Sequence, residues 1–227
     1  MKSSRILSTI GMFMMILAVL ISIIDFMCFS RWFYVYEYSK SNTAETIGMS
    51  EDDLYDTTAV LLDYLQDKRD DLSVQKEISG NVREVFDSRE KMHMEDVKSL
   101  YQNALTVRNI CFFGSIAVLT AVFFMNRGKS FKLFKRGYRN ASILMGALLG
   151  FIAIWALSDF DQFWIQFHYL FFDNDLFFLD PNTEILINMV PDTFFFDLVF
   201  CIILIFVFIL LLIALFFLRY ERRRVDA

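Results

Sequence analysis

Asn126-Arg127-Gly128-Lys129-Ser130-Phe131-Lys132-Leu133-Phe134-Lys135-Arg136-Gly137-Tyr138-Arg139 holds six basic residues and no acidic one. It separates two apolar runs, Asn109 to Met125 and Ala141 to Leu157. Two more lie further out, Ile6 to Ile24 and Leu198 to Leu218. Each run approaches or reaches the ~20 residues that carry a helix across a ~30 Å hydrocarbon core. The two inner runs are short, so flanking aromatic residues or a position partly inside the polar interface must complete them. The composition agrees: of 227 residues, 56% are apolar and 27 are phenylalanine.

The charges are sorted between these runs. Lys2 and Arg5 precede the first, and Arg219, Arg222, Arg223 and Arg224 follow the last. Residues 29–105 hold nine basic and sixteen acidic residues, and residues 158–197 hold eight acidic and no basic ones. Short basic loops stay in the cytoplasm. Both termini and the basic loop are therefore expected inside, and the two acidic connections outside. The expected fold is an all-α integral membrane protein, with four transmembrane helices and an extracellular, mostly helical cap. Its expected segments are a first span over 1–28, a cap over 29–105, a second span over 106–125 and a cytoplasmic basic loop over 126–139. A third span over 140–158, an outer aromatic connection over 159–196, a fourth span over 197–218 and a cytoplasmic tail over 219–227 follow.

Other classes find little support. The first apolar run is too long for a secretory leader and ends in Asp25-Phe26-Met27-Cys28 without a small-residue cleavage pattern, so a retained span is expected. The three cysteines fall in or beside different spans with no C-x-x-C pair, which points to neither a metal site nor a disulfide framework. No phosphate-cradling glycine loop, G-x-S-x-G elbow or H-E-x-x-H occurs. A formal charge of −5 and an acidic outer face argue against nucleic acid. No cofactor, metal or nucleotide is expected. Asp25, Arg108 and Asp197 fall near span ends rather than deep within them, which places a transporter last among the readings.

Within the cap, Trp32, Phe33, Tyr34, Tyr36 and Tyr38 are rings that favour the interface. The alternation of Tyr34, Tyr36 and Tyr38 predicts an extended piece. Ser50-Glu51-Asp52-Asp53 reads as an N-cap with acids in the first turn, followed by an apolar face at Leu54, Leu61, Leu62 and Leu65. Ser79-Gly80-Asn81 marks a break. The next helix is expected from near Ser88 directly into the second span. In the aromatic connection, Asp159, Asp161, Asp173 and Asp175 argue against a span and for an interfacial helix or loop. Asp180-Pro181 reads as an N-cap with proline at the first helical position, and Pro191 begins the approach to the fourth span.

The chain has two histidines, His93 and His168. Histidine titrates nearest neutrality, so it can move protons at ordinary pH. Both fall in the two acidic connections, the pair of segments expected on the same side. Arg89, His93, Asp96 and Leu100 are spaced four, three and four apart, which puts them on one helix face. Asp96 is a candidate to orient His93, and Arg89 to contact an anionic or carbonyl oxygen. The bland reading of the first stretch is a solvated helix face, and of the second an aromatic belt. The coincidence of two imidazoles on one side favours a shared site.

At these residues the chain resembles the bacterial lipoprotein intramolecular transacylase family. The resemblance rests on Arg89-Glu90-Lys91-Met92-His93-Met94-Glu95-Asp96-Val97-Lys98-Ser99-Leu100 and on Phe167-His168-Tyr169-Leu170-Phe171-Phe172-Asp173-Asn174-Asp175. Leu179-Asp180-Pro181-Asn182-Thr183, Pro191 to Phe195 and the four-span layout extend it over nearly the whole chain. Leu176 departs from it, standing where relatives are expected to carry tryptophan. The resemblance implies movement of the sn-2 acyl chain of a diacylglyceryl group to the α-amine of the lipoprotein's N-terminal cysteine. It also implies that His93 and His168 are the catalytic pair, that diacylated bacterial lipoproteins and membrane lipid are the partners, and that the site of this multi-pass protein faces outside. Arg89, Asp96, Phe167, Tyr169, Phe171, Phe172, Asn174, Asp175, Tyr34 and Tyr36 are the candidate substrate-binding or orienting residues. The alternative reading is a non-catalytic four-span protein whose cap binds a lipoprotein or another membrane partner.

Overall fold

The computed structural model describes residues 2–225; the side chains of residues 192 and 222–225, and with them the expected basic tail at Arg222, Arg223 and Arg224, lie outside the described residues, as do 226 and 227. Four helices are long and apolar enough to cross a membrane. They are α1 (Lys2–Cys28), α5 (Ser88–Met125), α6 (Ser130–Ser158) and α9 (Asp192–Val225). Between them lie α2 (Arg31–Ser41), α3 (Thr43–Ile47), α4 (Glu51–Leu65), strands β1 (Gln75–Ile78) and β2 (Asn81–Glu84), α7 (Phe160–Phe171) and α8 (Leu186–Met189). The chain divides into two compact units, one of residues 1–25, 105–163 and 200–227, the other of residues 26–104 and 164–199.

In the first unit, small residues let helices approach. A Cβ on Gly137 would sit 2.5 Å from Ser8 Oγ, and Ser8 Oγ donates to the Leu133 carbonyl at 2.9 Å. Gly11 faces Leu119 and Gly114 faces Met14 in the same way. Small residues at such crossings give close packing where lipid supplies no hydrophobic drive. Tyr138 hydroxyl donates to the Leu210 carbonyl, and Phe131 packs 4.3 Å from the Tyr220 ring. Near the ends of α1 and the apolar part of α5, Arg108 Nη1 pairs with Asp25 Oδ2 at 2.7 Å, so each charge has a partner.

In the second unit, residues 31–41 are helical and not extended, which corrects the expectation from alternating tyrosines. Phe33, Tyr34, Glu37 and Tyr38 form the buried face, a 3.6-residue pattern, whereas Tyr36 is 60% exposed. Tyr38 hydroxyl and Thr58 Oγ1 lie 2.8 Å apart, tying α2 to α4. Asp53 N–H donates to Ser50 Oγ at 3.1 Å, the cap expected for α4. The break at Ser79-Gly80 is the turn of a β-hairpin with Ile78 opposite Asn81. Both turn residues have positive φ, 53° and 82°, the requirement of a type I′ turn.

α5 opens on a reciprocal box. Glu90 N–H donates to Asp87 Oδ1 at 2.9 Å, and Asp87 N–H donates to Glu90 Oε2 at 2.7 Å, so two orphan donors are satisfied at once. The helix then runs unbroken through Met125. Asp180-Pro181 does not start a helix: residues 181–183 are a turn, in which Asn182 N–H donates to Asp180 Oδ1 at 2.9 Å. The carboxylate satisfies its own loop instead of a helix end.

Candidate active site

The stretches of α5 and α7 that lie in the second unit deliver the histidines. His93 lies on the second turn of α5, and His168 near the end of α7. Both are buried, at 8% and 7% exposure. Their ring centroids are 6.0 Å apart with an interplanar angle of 36°. Phe172 touches both rings, 5.6 Å from His93 and 5.8 Å from His168. His168 is otherwise enclosed by aromatic side chains. Phe177 stacks on it at 4.5 Å and 22°, Trp164 meets it edge-on at 4.8 Å, and Phe167 at 5.7 Å.

The hydrogen bonds set the two rings apart. His168 Nδ1 lies 2.7 Å from the Trp164 carbonyl oxygen. A carbonyl only accepts, so that bond puts the proton on Nδ1 and leaves Nε2 to exchange protons. His93 Nδ1 is buried and has no hydrogen-bond partner among the described residues. Burial, followed by His168 and Arg89, pushes its pKa down to about 4 against the opposing charge of Asp96. At neutral pH His93 is therefore an uncharged imidazole.

A polar clamp holds the loop after α7 against α5. Arg89 Nη2 donates to the Asp175 carbonyl at 2.6 Å, and its Nε is 3.8 Å from Glu184 Oε1. Asn174 Nδ2 donates to Asp96 Oδ2 at 2.8 Å, while Asn174 Oδ1 accepts from Leu176 N–H at 3.0 Å. Tyr169 hydroxyl donates to Asp175 Oδ1 at 2.9 Å. This loop carries Phe177 onto His168. Glu90 fastens the site from the other end, since its Oε1 accepts from Leu186 N–H at 2.6 Å.

The expected site residues thus divide. His93, His168, Phe167 and Phe172 meet directly. Arg89, Asp96, Asn174, Asp175 and Tyr169 form the clamp. Asp96 bonds Asn174 rather than the His93 imidazole. Phe171 is 48% exposed and packs on Phe167, one position away from the ring that covers the pair. Tyr34 connects to the pair through other rings, by Phe194, Phe195 and Trp164. Tyr36 lies on the exposed side of α2 near Lys40. Trp164, Phe177, Glu90 and Glu184 were not singled out from sequence. Trp164 stands four residues before His168, one helical turn, and Asp87-x-x-Glu90 is a capping signature, so two of the four left a readable signal. Leu176 supplies its backbone N–H to the clamp.

The architecture is that of a mostly helical integral membrane protein with four spans. A family model described as lipoprotein intramolecular transacylase Lit matches residues 9–195. The chain belongs to that family. Solved structures of the membrane-integral lipoprotein intramolecular transacylase Lit from Bacillus cereus share the fold. One, carrying a histidine-to-alanine substitution, is 19% identical with a TM-score of 0.76, covering 100% of this chain and 97% of that one. Another is 20% identical with a TM-score of 0.72 and covers 99% of each. A third, carrying a histidine-to-arginine substitution, is 20% identical with a TM-score of 0.72, covering 98% of this chain and 95% of that one. No curated protein matches the chain.

Proposed function

We propose that this transacylase moves the sn-2 acyl chain of a diacylglyceryl lipoprotein to the α-amine of its N-terminal cysteine, with His93 and His168 handling the protons. The observation that carries the reading is the approach of the chain's two imidazoles to 6.0 Å inside an aromatic enclosure. The bond that forms joins the amine nitrogen to the acyl carbon, and the bond that breaks joins that carbon to the sn-2 oxygen. One proton leaves the nitrogen and one reaches the oxygen, so the pair is unchanged after turnover and no cofactor is required.

An α-amine has a pKa near 8, so a useful fraction is already neutral. His168 is the ring suited to take its proton, because the Trp164 carbonyl stabilises the imidazolium that results. His168 then returns that proton to the departing sn-2 oxygen, while His93, held neutral by burial, hydrogen-bonds the carbonyl oxygen as negative charge develops on it. Donor and acceptor belong to one substrate, so proximity replaces a bimolecular encounter and no enzyme nucleophile is needed. The surrounding rings keep water from competing for the ester. The charge sorting of the connections supports a site facing outside, with the basic loop inside.

The test is mass spectrometry of N-terminal lipopeptides from cells that depend on this protein for the conversion. Wild type gives lyso-form product bearing an N-acyl chain and one remaining ester. Persistence of that product in both His93→Gln and His168→Gln would defeat the proposal.

A further inference from the structure

From within the basic stretch 126–139 onward, α6 carries a pattern that neither the acyl-transfer reading nor the family accounts for. Lys132, Arg136 and Arg139 are exposed and spaced four and three apart, so at ~100° per residue they share one face. Among the described residues none of the three enters an ion pair; the neighbouring Lys135 pairs with Glu221 and sits to one side. The same face continues as Ile143, Gly146, Gly150 and Ile154. Ile143 and Ile154 are 64% and 73% exposed. A Cβ on Gly146 or Gly150 would meet nothing within 4 Å, so both positions are shallow troughs in an otherwise apolar surface.

Gly146 and Gly150 are four apart, a spacing that often marks helix pairing. Here it does not fit a second copy. Two copies sharing one membrane orientation would meet about a two-fold axis and set Lys132, Arg136 and Arg139 against their own equivalents. Three like-charged contacts in one row oppose that assembly. The same charges complement an anion, and the glycines lie ~10 and ~16 Å along the helix from Arg139, so Gly146 falls within and Gly150 at about the ~15 Å depth of one leaflet's hydrocarbon.

We propose that this face of α6 binds an anionic phospholipid of the surrounding leaflet, its phosphate under Lys132, Arg136 and Arg139 and an acyl chain lying across Gly146 and Gly150. Each basic residue near a membrane surface adds about 1 kcal/mol of attraction for anionic lipid. Three together give a preference on the order of 100-fold over a zwitterionic lipid.

The experiment reconstitutes the full chain in equimolar phosphatidylcholine and phosphatidylglycerol, extracts it gently, and reads bound lipid by native mass spectrometry. Wild type retains phosphatidylglycerol far above its share of the membrane. The triple variant Lys132→Gln, Arg136→Gln, Arg139→Gln falls to the bulk ratio. Gly150→Leu, with all charges present, also loses retained lipid. Undiminished enrichment in the triple variant overturns the proposal. So does displacement of the lipid by inorganic phosphate, which would mark a free-anion site, or a wild-type dimer that Gly150→Leu converts to monomer, which would mark a second copy. If the triple variant does not survive purification, wild type in rising sodium chloride decides. Enrichment that falls with salt supports the phosphate contact, and enrichment indifferent to salt overturns it.

Discussion

On α5, His93 sits one turn beyond Arg89 and Glu90 in a segment stitched by hydrogen bonds; on α7, His168 sits among rings. The polar side gives its imidazole no partner at Nδ1 among the described residues, while the aromatic side anchors its imidazole to a backbone carbonyl. The α5 network is spent on holding chain segments together: Glu90 on Asp87 and Leu186, Asp96 on Asn174, Arg89 on Asp175. The lesson is that polar neighbours need not mean a charged histidine. A ring bonded to one backbone carbonyl has its proton position set, whereas a carboxylate already engaged elsewhere anchors no ring beside it.

The largest expected effect tests that contrast directly. His168→Gln lowers turnover by ~10²–10⁴-fold, the usual reach of acid–base assistance, and by more than His93→Gln. Turnover of a synthetic diacylated lipopeptide in micelles measures both, and a greater loss at His93 would reverse the roles assigned to the two helices. Next, Glu90→Ala strips partners from two buried or half-buried backbone donors and destabilises the protein by about 3 kcal/mol. The thermal midpoint of the detergent-purified protein registers it, and an unchanged midpoint would show that the α5 network does not hold the site.

Acidification follows from the depressed pKa of His93. The unfolded chain takes up a proton there near pH 6.5, the folded chain only near pH 4. The stability due to a neutral His93 is therefore fully present above pH 6.5 and is lost as pH falls through that window, about 3 kcal/mol at its lower end. Melting at pH 7 and pH 4.5 should differ less in His93→Gln than in wild type. An equal difference would mean His93 is not the group responsible. The smallest effect is expected at the clamp. Asn174→Ala costs about 1 kcal/mol, and because Asn174 holds the loop that brings Phe177 to His168, it raises the KM for lipopeptide more than it lowers kcat. A pure kcat loss would assign Asn174 to the chemistry instead.

The spans were the most legible part of the fold, because a membrane demands long apolar helices and the sequence supplies four. The Ser50 cap and the unbroken α5 were also readable, since local side-chain chemistry decides them. Residues 31–41 were misread because Tyr34 and Tyr38 satisfy a period of two and a period of 3.6 equally, and only burial separates them. The β-hairpin escaped because each strand has only four residues, too few to establish a period. Asp180-Pro181 misled because an aspartate ahead of a proline serves a turn as well as a helix start. For the site, the residue types and their common side were visible. The contact between His93 and His168 was not, because 75 residues of chain separate them and the path between is set by tertiary packing. Nor could sequence show that Asp96 is claimed by Asn174.

One feature of the composition takes on practical weight once both imidazoles are known to adjoin. The protein contains no histidine outside this pair. Any imidazole-specific signal from the untagged chain, such as ring-proton resonances followed through a pH titration, reports on the two rings alone. Stacking beneath Phe177 should shield the His168 resonances and separate them from those of His93, so each protonation step can be watched individually without isotopic labelling of one site at a time.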